Sequence, residues 1–302
     1  MQKRRVFIIA TQIALILLLN SCVGLKTKVE PSRVIEKETQ SFEEVVQQAD
    51  RFNQSYGAEN VLIVLDIDNT ILTSSVDLGG DIWYQWQRKK LDIKPIENQI
   101  VPCLFEDSIG LLYEICPMHL TDKNLPGMIL NWTNSGNTIM ALTSRAPKYR
   151  AATERELERQ DVNFERAGLR LKGEDHLPVF RATLNGREWS YMKGIMMVTG
   201  MNKGDMLTML LEKTGRTFDA IIFVDDSQKN INAMHQKFRE EDGIEVAIYH
   251  YTAIEEKRKE NQGTILTEKQ AMKMATDWNK LNEVLNEIFP ARKLKKGDCL
   301  SR

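Results

Sequence analysis

The sequence predicts an α/β fold of the Rossmann-like, three-layer kind, in which helices cover both faces of a parallel sheet. The main evidence is four short apolar runs that are continuous rather than alternating, as in strands buried on both faces. Helical patterns separate the runs, and such alternation favours a parallel sheet. Acidic side chains lie at the ends of two of the runs. The runs lie at residues 61–67, 138–142, 220–224 and 246–249.

The composition limits the class of protein. The chain has 302 residues, with 41 Lys and Arg against 42 Asp and Glu, a formal net charge of −1 and 42% hydrophobic residues. This composition is globular and excludes disorder over most of the length. The balanced charge argues against nucleic acid as the main partner, because nucleic-acid binding needs a basic excess. Four cysteines are too few for a disulfide scaffold.

The first 22 residues have the order of an export signal. Basic residues at positions 3–5 precede an apolar stretch at 6–19, which is too short for a comfortable membrane span. The stretch leads to Ser21-Cys22, an order that resembles a bacterial lipobox. We therefore expect a signal peptide over residues 1–21 and a lipid on Cys22; a plain signal peptide with an incidental cysteine is the alternative. Val23 is not the Asp common in inner-membrane lipoproteins, so the outer membrane is the expected location.

The folded core is predicted to begin near residue 41 and to end near residue 290. Ser41 and Glu44 have the spacing of a capping box, and apolar residues follow at helical intervals. Residues 22–40 are polar with mixed charge, and are predicted to form a tether. A last helix is expected to stop at Pro290, followed by a basic tail at 291–302.

Two connections between the strands are longer than a crossover needs. The first, at 73–137, contains an aromatic sequence and a helical pattern, and is predicted to form a small cap or lid. The second contains the segment 182–199, in which Asn185-Gly186 is typical of a hairpin turn. We expect a small β excursion there.

Two pairs of carboxylates lie at the ends of the first and third runs, at Asp66 and Asp68 and at Asp225 and Asp226. In open α/β sheets the carboxyl ends of the strands form the ligand crevice, so both pairs should lie at one edge. Bringing four carboxylates together is costly without a cation. Oxygen ligands with no His or Cys nearby favour Mg²⁺ over zinc. An Asp-rich turn and a helix N-cap are the structural alternatives.

Thr143 ends the second run, where its hydroxyl could donate to a phosphoryl oxygen. Lys203 opens the helix before the third run and could lie among the carboxylates and a phosphate. A helix cap for Thr143 and a solvated surface position for Lys203 are the alternatives.

The two acidic pairs together with Thr143 and Lys203, in their order along the chain, resemble the four motifs of the haloacid dehalogenase (HAD) superfamily. Residues 66–70 resemble its D-x-D-x-T first motif. Thr143 resembles the second motif, Lys203 the third, and the pair at 225–226 the acidic fourth motif. The resemblance covers roughly residues 61–249 and implies a Rossmann-like HAD fold with a cap.

The resemblance implies a role for each residue. Asp66 would attack phosphorus and form an aspartyl-phosphate, and Asp68 would protonate the leaving alkoxide and then activate water. Thr143 and Lys203 would hold the phosphoryl oxygens. Mg²⁺ would be bound by Asp66, the backbone carbonyl of Asp68 and the acidic pair at 225–226. Because the ATPase branch has Thr where this chain has Asp68, the resemblance favours a phosphatase, similar to exported bacterial acid phosphatases with two Asp pairs.

Three other features have two interpretations each. Trp83 could stack on a substrate ring or belong to the core of the predicted cap or lid itself. Arg145 could bind a substrate anion or form a surface salt bridge. Cys103 and Cys116 could form a disulfide in an oxidising compartment, unless one continuous helix holds both and keeps them apart.

The functional prediction is a Mg²⁺-dependent phosphomonoester hydrolase on the cell envelope, acting on a small phosphorylated substrate. A lipid-anchored binding or assembly protein with an inactive site is the alternative from another class. A phosphotransferase would need the same residues as the hydrolase. The complete set of motif residues favours an enzyme, because an inactive relative would be expected to lack at least one.

Overall fold

A computed structural model describes residues 33–292 and Cys299. Within these residues the chain forms an α/β structure with a mostly parallel central sheet of eight strands. In spatial order the strands are β1 (Arg33–Thr39), β10 (Glu245–Tyr251), β9 (Ala220–Asp225), β2 (Val61–Leu65), β5 (Thr138–Thr143), β8 (Ile195–Met197), β7 (Arg187–Met192) and β6 (Phe180–Leu184). The first six pair in parallel, and β7 and β6 are antiparallel to their neighbours.

Helices connect the strands. They are α1 (Phe42–Tyr56), α2 (Asp81–Gln87), α3 (Ile109–Ile115), α4 (Leu125–Ser135), α5 (Arg150–Glu158), α6 (Lys203–Thr214), α7 (Gln228–Phe238), α8 (Ala253–Gln262) and α9 (Glu268–Ile288). A π-helical turn, Leu104–Ser108, precedes α3, and short 3₁₀ turns lie at Ala58–Asn60, Glu97–Gln99, Pro147–Tyr149 and Pro290–Arg292. None of the described helices is both long and apolar enough to cross a membrane.

Strand β2 shows why the sheet is covered on both faces. Its residues are all buried, and they alternate between two hydrophobic clusters. Ile63 lies in the cluster that includes residues of α1, α4 and α9, and Val64 lies in the cluster that includes residues of α6 and α7. Because successive side chains in a strand point to opposite faces, a continuous apolar run is what a central strand with two covered faces requires. The three-layer α/β arrangement is therefore as predicted.

All four apolar runs form strands of this sheet, namely β2, β5, β9 and β10. Where two of these strands are neighbours in the sheet, they pair in parallel. The start of α1 and the end of α9 also lie where the sequence places them. Ser41 caps α1 by accepting a hydrogen bond from the backbone N–H of Glu43 (3.1 Å), and α9 ends two residues before Pro290.

The N-terminal part of the core differs from the sequence prediction. Residues 33–39, expected to belong to a tether, form edge strand β1 beside β10. The expected capping box is also incomplete, because Thr39, not Ser41, hydrogen-bonds the Glu44 side chain (2.8 Å). Charged, largely exposed strands are typical of sheet edges, and this composition is hard to distinguish from a polar linker by sequence alone.

The segment 182–199 belongs to the main sheet rather than to a separate excursion. Asn185 and Gly186 form the predicted hairpin turn, and both have positive φ angles (50° and 75°), as a two-residue turn of this kind requires. The chain then returns through β8, which pairs in parallel with β5.

The connection at 73–137 contains two kinds of structure. Its last part, α4, is an ordinary crossover helix packed in the main core. The earlier part contains α2, the π-helical turn and α3, and it starts and ends at a small antiparallel ribbon of β3 (Leu72–Ser74) and β4 (Met118–Leu120). We call the stretch from residue 75 to residue 117 the inserted segment.

The disulfide in the structure is not the pair considered from the sequence. Cys103 is bonded to Cys299, 196 residues away, and Cys116 is a buried free thiol. The π-helical turn and α3 fill the chain between Cys103 and Cys116. Helical structure therefore separates these two cysteines and keeps them too far apart to form a disulfide.

Candidate active site

The strand order brings together the residues that the sequence predicts to be catalytic or ligand-binding. Strand β2 lies between β9 and β5, so Asp66 follows the central strand while Asp225 and Thr143 end its two neighbours. The backbone N–H of Asp66 donates to the carbonyl of Val224 (2.9 Å), which continues the β2–β9 pairing one residue past the strand. All three side chains are therefore at the carboxyl edge of the sheet, where α/β proteins bind ligands.

Lys203 reaches this edge from the first position of α6. Asn202 caps the helix by accepting from the N–H of Asp205 (3.1 Å). At the next position, a Cβ on Gly204 would lie 2.8 Å from the carbonyl oxygen of Ala233 in α7. Glycine therefore permits the close approach of α6 to α7 and holds the start of α6 where Lys203 extends into the site.

The Lys203 ammonium group joins the first and fourth predicted motifs. Its Nζ lies 2.5 Å from Oδ1 of Asp66 and 2.6 Å from Oδ2 of Asp225. Lys203 is 0% exposed and Asp66 is 5% exposed. Removing these charges from water is costly unless they are paired. The buried ammonium group and the two carboxylates therefore stabilise one another. Burial lowers the pKa of Lys203, but Asp225 and Asp66 outweigh burial and raise it.

Asp225 is held in one orientation. Its Oδ1 accepts from the backbone N–H of Ser227 (2.9 Å) and from the side-chain amide of Asn230 (2.9 Å), while its Oδ2 faces Lys203. The two outer contacts come from the start of α7. The carboxylate is thus preorganised before any ligand binds.

Asp226 lies beside this pair and is linked to the inserted segment. The side-chain amide of Asn69 donates to Asp226 Oδ2 and to Asp81 Oδ2, each at 3.2 Å. Asn69 has a positive φ of 54°, a conformation that Asn tolerates better than most residues. Gln85 also donates to Asp81, and His250 Nε2 donates to the backbone carbonyl of Asp226 (2.9 Å).

Three of the carboxylates form a potential cation site. Oxygen atoms of Asp66, Asp225 and Asp226 all lie within 4.8 Å of one another. The set contains only hard oxygen donors, and two of the three side chains are buried. Mg²⁺ prefers such donors and keeps several waters, so the residues present fit this ion.

The charges of these side chains support the same interpretation. Burial raises the pKa of Asp66 to about 8, with Lys203 opposing the shift and Asp225 and Asp68 adding to it. Burial and neighbouring carboxylates also raise the pKa of Asp226 well above its usual value. A single ammonium group therefore does not neutralise the cluster, which must take up either protons or a cation.

Asp68 is not part of the three-carboxylate group, because its side chain binds Arg145. Arg145 Nε donates to Oδ2 (2.8 Å) and Nη2 donates to Oδ1 (2.7 Å). Arg145 is 4% exposed, so neither a substrate contact in this conformation nor a surface salt bridge describes it. Its backbone N–H donates to Oγ1 of Thr143 (3.1 Å), which places both residues in one tight turn after β5.

Trp83 does not line the site. It is fully buried, and its ring centroid lies 5.9 Å from that of Trp278 in α9. The prediction of a substrate contact is wrong for this side chain, because a residue with no exposed surface in the core cannot stack on a ligand. The alternative from the sequence, a core within the cap, is right only in that Trp83 is a core residue, because Trp83 belongs to the main hydrophobic cluster and not to a separate core of the inserted segment.

Asp81 was not recognised from the sequence. It begins α2 and approaches the carboxylates only because the inserted segment folds back over the sheet edge. Together with Asn69 and Asp226 it lines a cleft whose other wall includes Glu255 and Arg258 of α8. The available sequence signal was an Asp in the first turn of a short helix, which is common at any helix start.

Residues 38–290 match a family described as "Protein of unknown function (DUF2608)". A search of the curated proteins found no match.

Proposed function

The chain belongs to this family of proteins of unknown function, and we propose from its site that it is a phosphomonoester hydrolase that acts through an aspartyl-phosphate on Asp66. The observation that carries the proposal is the position of Lys203 between Asp66 and Asp225, in a place that excludes water. A carboxylate nucleophile that attacks an anionic phosphate needs positive charge beside it, and this arrangement supplies it.

In the first step, one oxygen of Asp66 attacks phosphorus and the ester P–O bond breaks. The alcohol oxygen that leaves takes the proton that Asp68 carries at the start of the cycle and recovers from water in the second step, and the phosphoryl group stays on Asp66 as an acyl phosphate. Lys203 and the hydroxyl of Thr143 would hold the phosphoryl oxygens during the transfer. Both side chains are fully buried, so their hydrogen bonds would be strong.

In the second step, Asp68 takes a proton from a water molecule, and the water oxygen attacks phosphorus. The bond between phosphorus and Asp66 breaks, which releases inorganic phosphate and restores the carboxylate. Asp68 is suited to both steps because its side chain is 23% exposed, unlike the buried Asp66. A proton carrier needs this access to solvent and substrate.

The donor set of Asp66, Asp225 and Asp226 would hold a divalent cation, for which Mg²⁺ is the best fit, and the backbone carbonyl of Asp68 would complete the protein ligands that the sequence resemblance implies. When bound, the cation would offset the negative charge of the carboxylates and the phosphate. It would also favour the ionised form of Asp66, which the nucleophilic step requires.

The test is hydrolysis of a generic aryl phosphate by purified protein, with Mg²⁺ and with excess EDTA. We expect Mg²⁺-dependent release of phosphate, and none from Asp66→Asn. Asp175→Asn, an exposed carboxylate outside the site, is the matched control and should be as active as the wild type. Phosphate transfer to an added alcohol in place of water would identify a phosphotransferase. Tight binding of phosphate esters without turnover would instead favour a binding protein.

We also propose that the protein is attached to the bacterial envelope through a lipid on Cys22. Cys22 and the signal-like segment before it lie outside the described residues, so the proposal depends on the sequence pattern alone. Metabolic labelling with palmitate should mark the wild type and not Cys22→Ser. Labelling of both proteins, or a fully soluble wild type, would contradict it.

A further inference from the structure

Arg145 makes a specific two-point contact with Asp68. The two hydrogen bonds, Nε to Oδ2 at 2.8 Å and Nη2 to Oδ1 at 2.7 Å, run in parallel between the planar guanidinium and the planar carboxylate. Bidentate pairs of this kind fix orientation as well as charge. The Asp68 carboxyl group therefore has a defined direction relative to the turn after β5.

Arg145 is itself held from several sides. Its Nη1 donates to Oγ1 of Thr153 (2.9 Å), and the Thr153 hydroxyl donates in turn to the carbonyl of Tyr149 (2.8 Å). The guanidinium carbon lies 4.1 Å from the ring centroid of Tyr113, on α3 of the inserted segment. Nη2 also lies 3.2 Å from the sulfur of Met118. Groups of the protein thus surround the guanidinium.

These contacts argue against a role for Arg145 in binding substrate directly. A buried guanidinium is strongly destabilising unless it is paired, and the carboxylate that pairs with it in the described part of the chain is Asp68. Asp68, in contrast, remains partly exposed. The pair thus combines a buried, rigidly held Arg145 with an accessible Asp68 carboxyl group. This is the arrangement expected when one residue orients another that transfers protons.

We propose that Arg145 is a positioning residue, which holds the Asp68 carboxyl group in the orientation needed for proton transfer, with Thr153 and Tyr113 holding Arg145. The inference rests on the proposed function. It adds that the orientation of the Asp68 carboxyl group depends on Arg145, a residue that does not touch the substrate. Loss of Arg145 should therefore reproduce the kinetic defect of losing Asp68, while Asp66 remains able to react.

The experiment is single-turnover labelling with a phosphate-labelled aryl substrate, following both formation and loss of the aspartyl-phosphate. Aryl leaving groups need little protonation, so formation in Arg145→Met should stay within about tenfold of the wild type. Loss of the label should slow by roughly 10²-fold, within the range for general acid–base catalysis, so the intermediate should accumulate. Arg145→Lys keeps the charge but cannot form the parallel pair, and should give a smaller change of the same sign.

Arg150→Lys is the matched control, because Arg150 hydrogen-bonds Ser190 (2.8 Å) and pairs with Glu154 rather than with Asp68. It should leave the ratio of the two rates unchanged. A purely structural role for Arg145 would lower the fraction of active protein and leave that ratio as in the wild type. This result in Arg145→Met, or in Arg145→Lys if the Met variant does not fold, would overturn the inference alone. A wild type with neither label nor turnover would overturn the proposed function and the inference with it.

Discussion

The ammonium nitrogen of Lys203 lies 2.5 Å from Oδ1 of Asp66, and both side chains are almost completely excluded from solvent. The contact joins the first residue of α6 to the residue after β2, 137 positions apart in sequence. It places a cation beside the carboxylate that we propose as the nucleophile. It also makes the stability of the metal-free protein depend on the charges of the site.

Replacing Lys203 by Met should destabilise the metal-free protein strongly. Removing one partner of a buried ion pair typically costs about 3–5 kcal/mol, because a buried charge is left uncompensated. Here the carboxylates of Asp66 and Asp225 would both lose their partner, and Mg²⁺ should restore part of the loss. Urea denaturation in EDTA and in Mg²⁺ measures both effects. Lys193→Met, at a lysine with a side chain 51% exposed, should cost less than about 1 kcal/mol.

The two aspartates of the first motif should fail in different ways. Asp66→Asn has no anionic nucleophile, so neither aspartyl-phosphate nor turnover should be detected. Asp68→Asn keeps the nucleophile but loses proton transfer, which is worth roughly 10²–10⁴-fold, and aspartyl-phosphate should accumulate with aryl substrates. Single-turnover labelling of both variants distinguishes them. Normal turnover by Asp66→Asn would end the covalent mechanism.

Asp225→Asn should weaken divalent-cation binding, because it replaces an anionic ligand by a neutral one. We expect a loss of at least about tenfold in affinity, the scale seen when groups around a metal are altered. Titration with Mn²⁺ followed by electron paramagnetic resonance measures binding without any assay of activity. Asp175→Asn is the control and should bind as the wild type does. Full activity after exhaustive chelation, or a stoichiometric zinc ion, would contradict the proposed site.

Asp81 should make the metal-free protein less stable as the pH rises from about 4 to 6. Burial raises the pKa of Asp81 to about 6, with the Gln85 hydrogen bond opposing it and Asp68 adding to it. Between the unfolded and folded pKa values the native state binds more protons, so the free energy of unfolding falls as the pH rises. The loss should be on the order of 1–2 kcal/mol, since the side chain is only partly shielded.

Urea denaturation in EDTA across this pH range tests the prediction. Asp81→Asn should make the dependence shallower without abolishing it, because the raised pKa values of Asp66 and Asp226 act in the same direction, whereas Asp175→Asn should leave it as in the wild type. An unchanged slope in Asp81→Asn would show that other groups carry the effect.

The Cys103–Cys299 disulfide should appear in peptide mapping without reduction. Alkylation of the unfolded, unreduced protein should label Cys116 and neither of the bonded cysteines. Cys299→Ser should lower the free energy of unfolding by about 2–4 kcal/mol, because the bond constrains a long stretch of the unfolded chain. Labelling of Cys103 in the wild type would contradict the pairing.

Much of the site could be predicted because it follows from strand ends. Asp66 and Asp225 each follow a continuous apolar run, and parallel strands bring such ends to one edge of the sheet. Lys203 could be identified only through the resemblance of the motif order, because nothing local distinguishes it from a surface lysine. Asp81 could not be identified, because its approach to the site depends on how the inserted segment folds.

The sequence by itself determined the layers, four of the parallel strands and the edge where the carboxylates meet, because continuous apolar runs and the helical patterns between them are local properties of the chain. Only the tertiary structure decided that Arg145 faces Asp68, that Trp83 is buried against Trp278, and that Cys103 pairs with Cys299. Each of these contacts joins residues more than 70 positions apart. Such partners are selected by the packing of whole elements and by the cost of leaving a buried charge unpaired, which no local pattern of residues records.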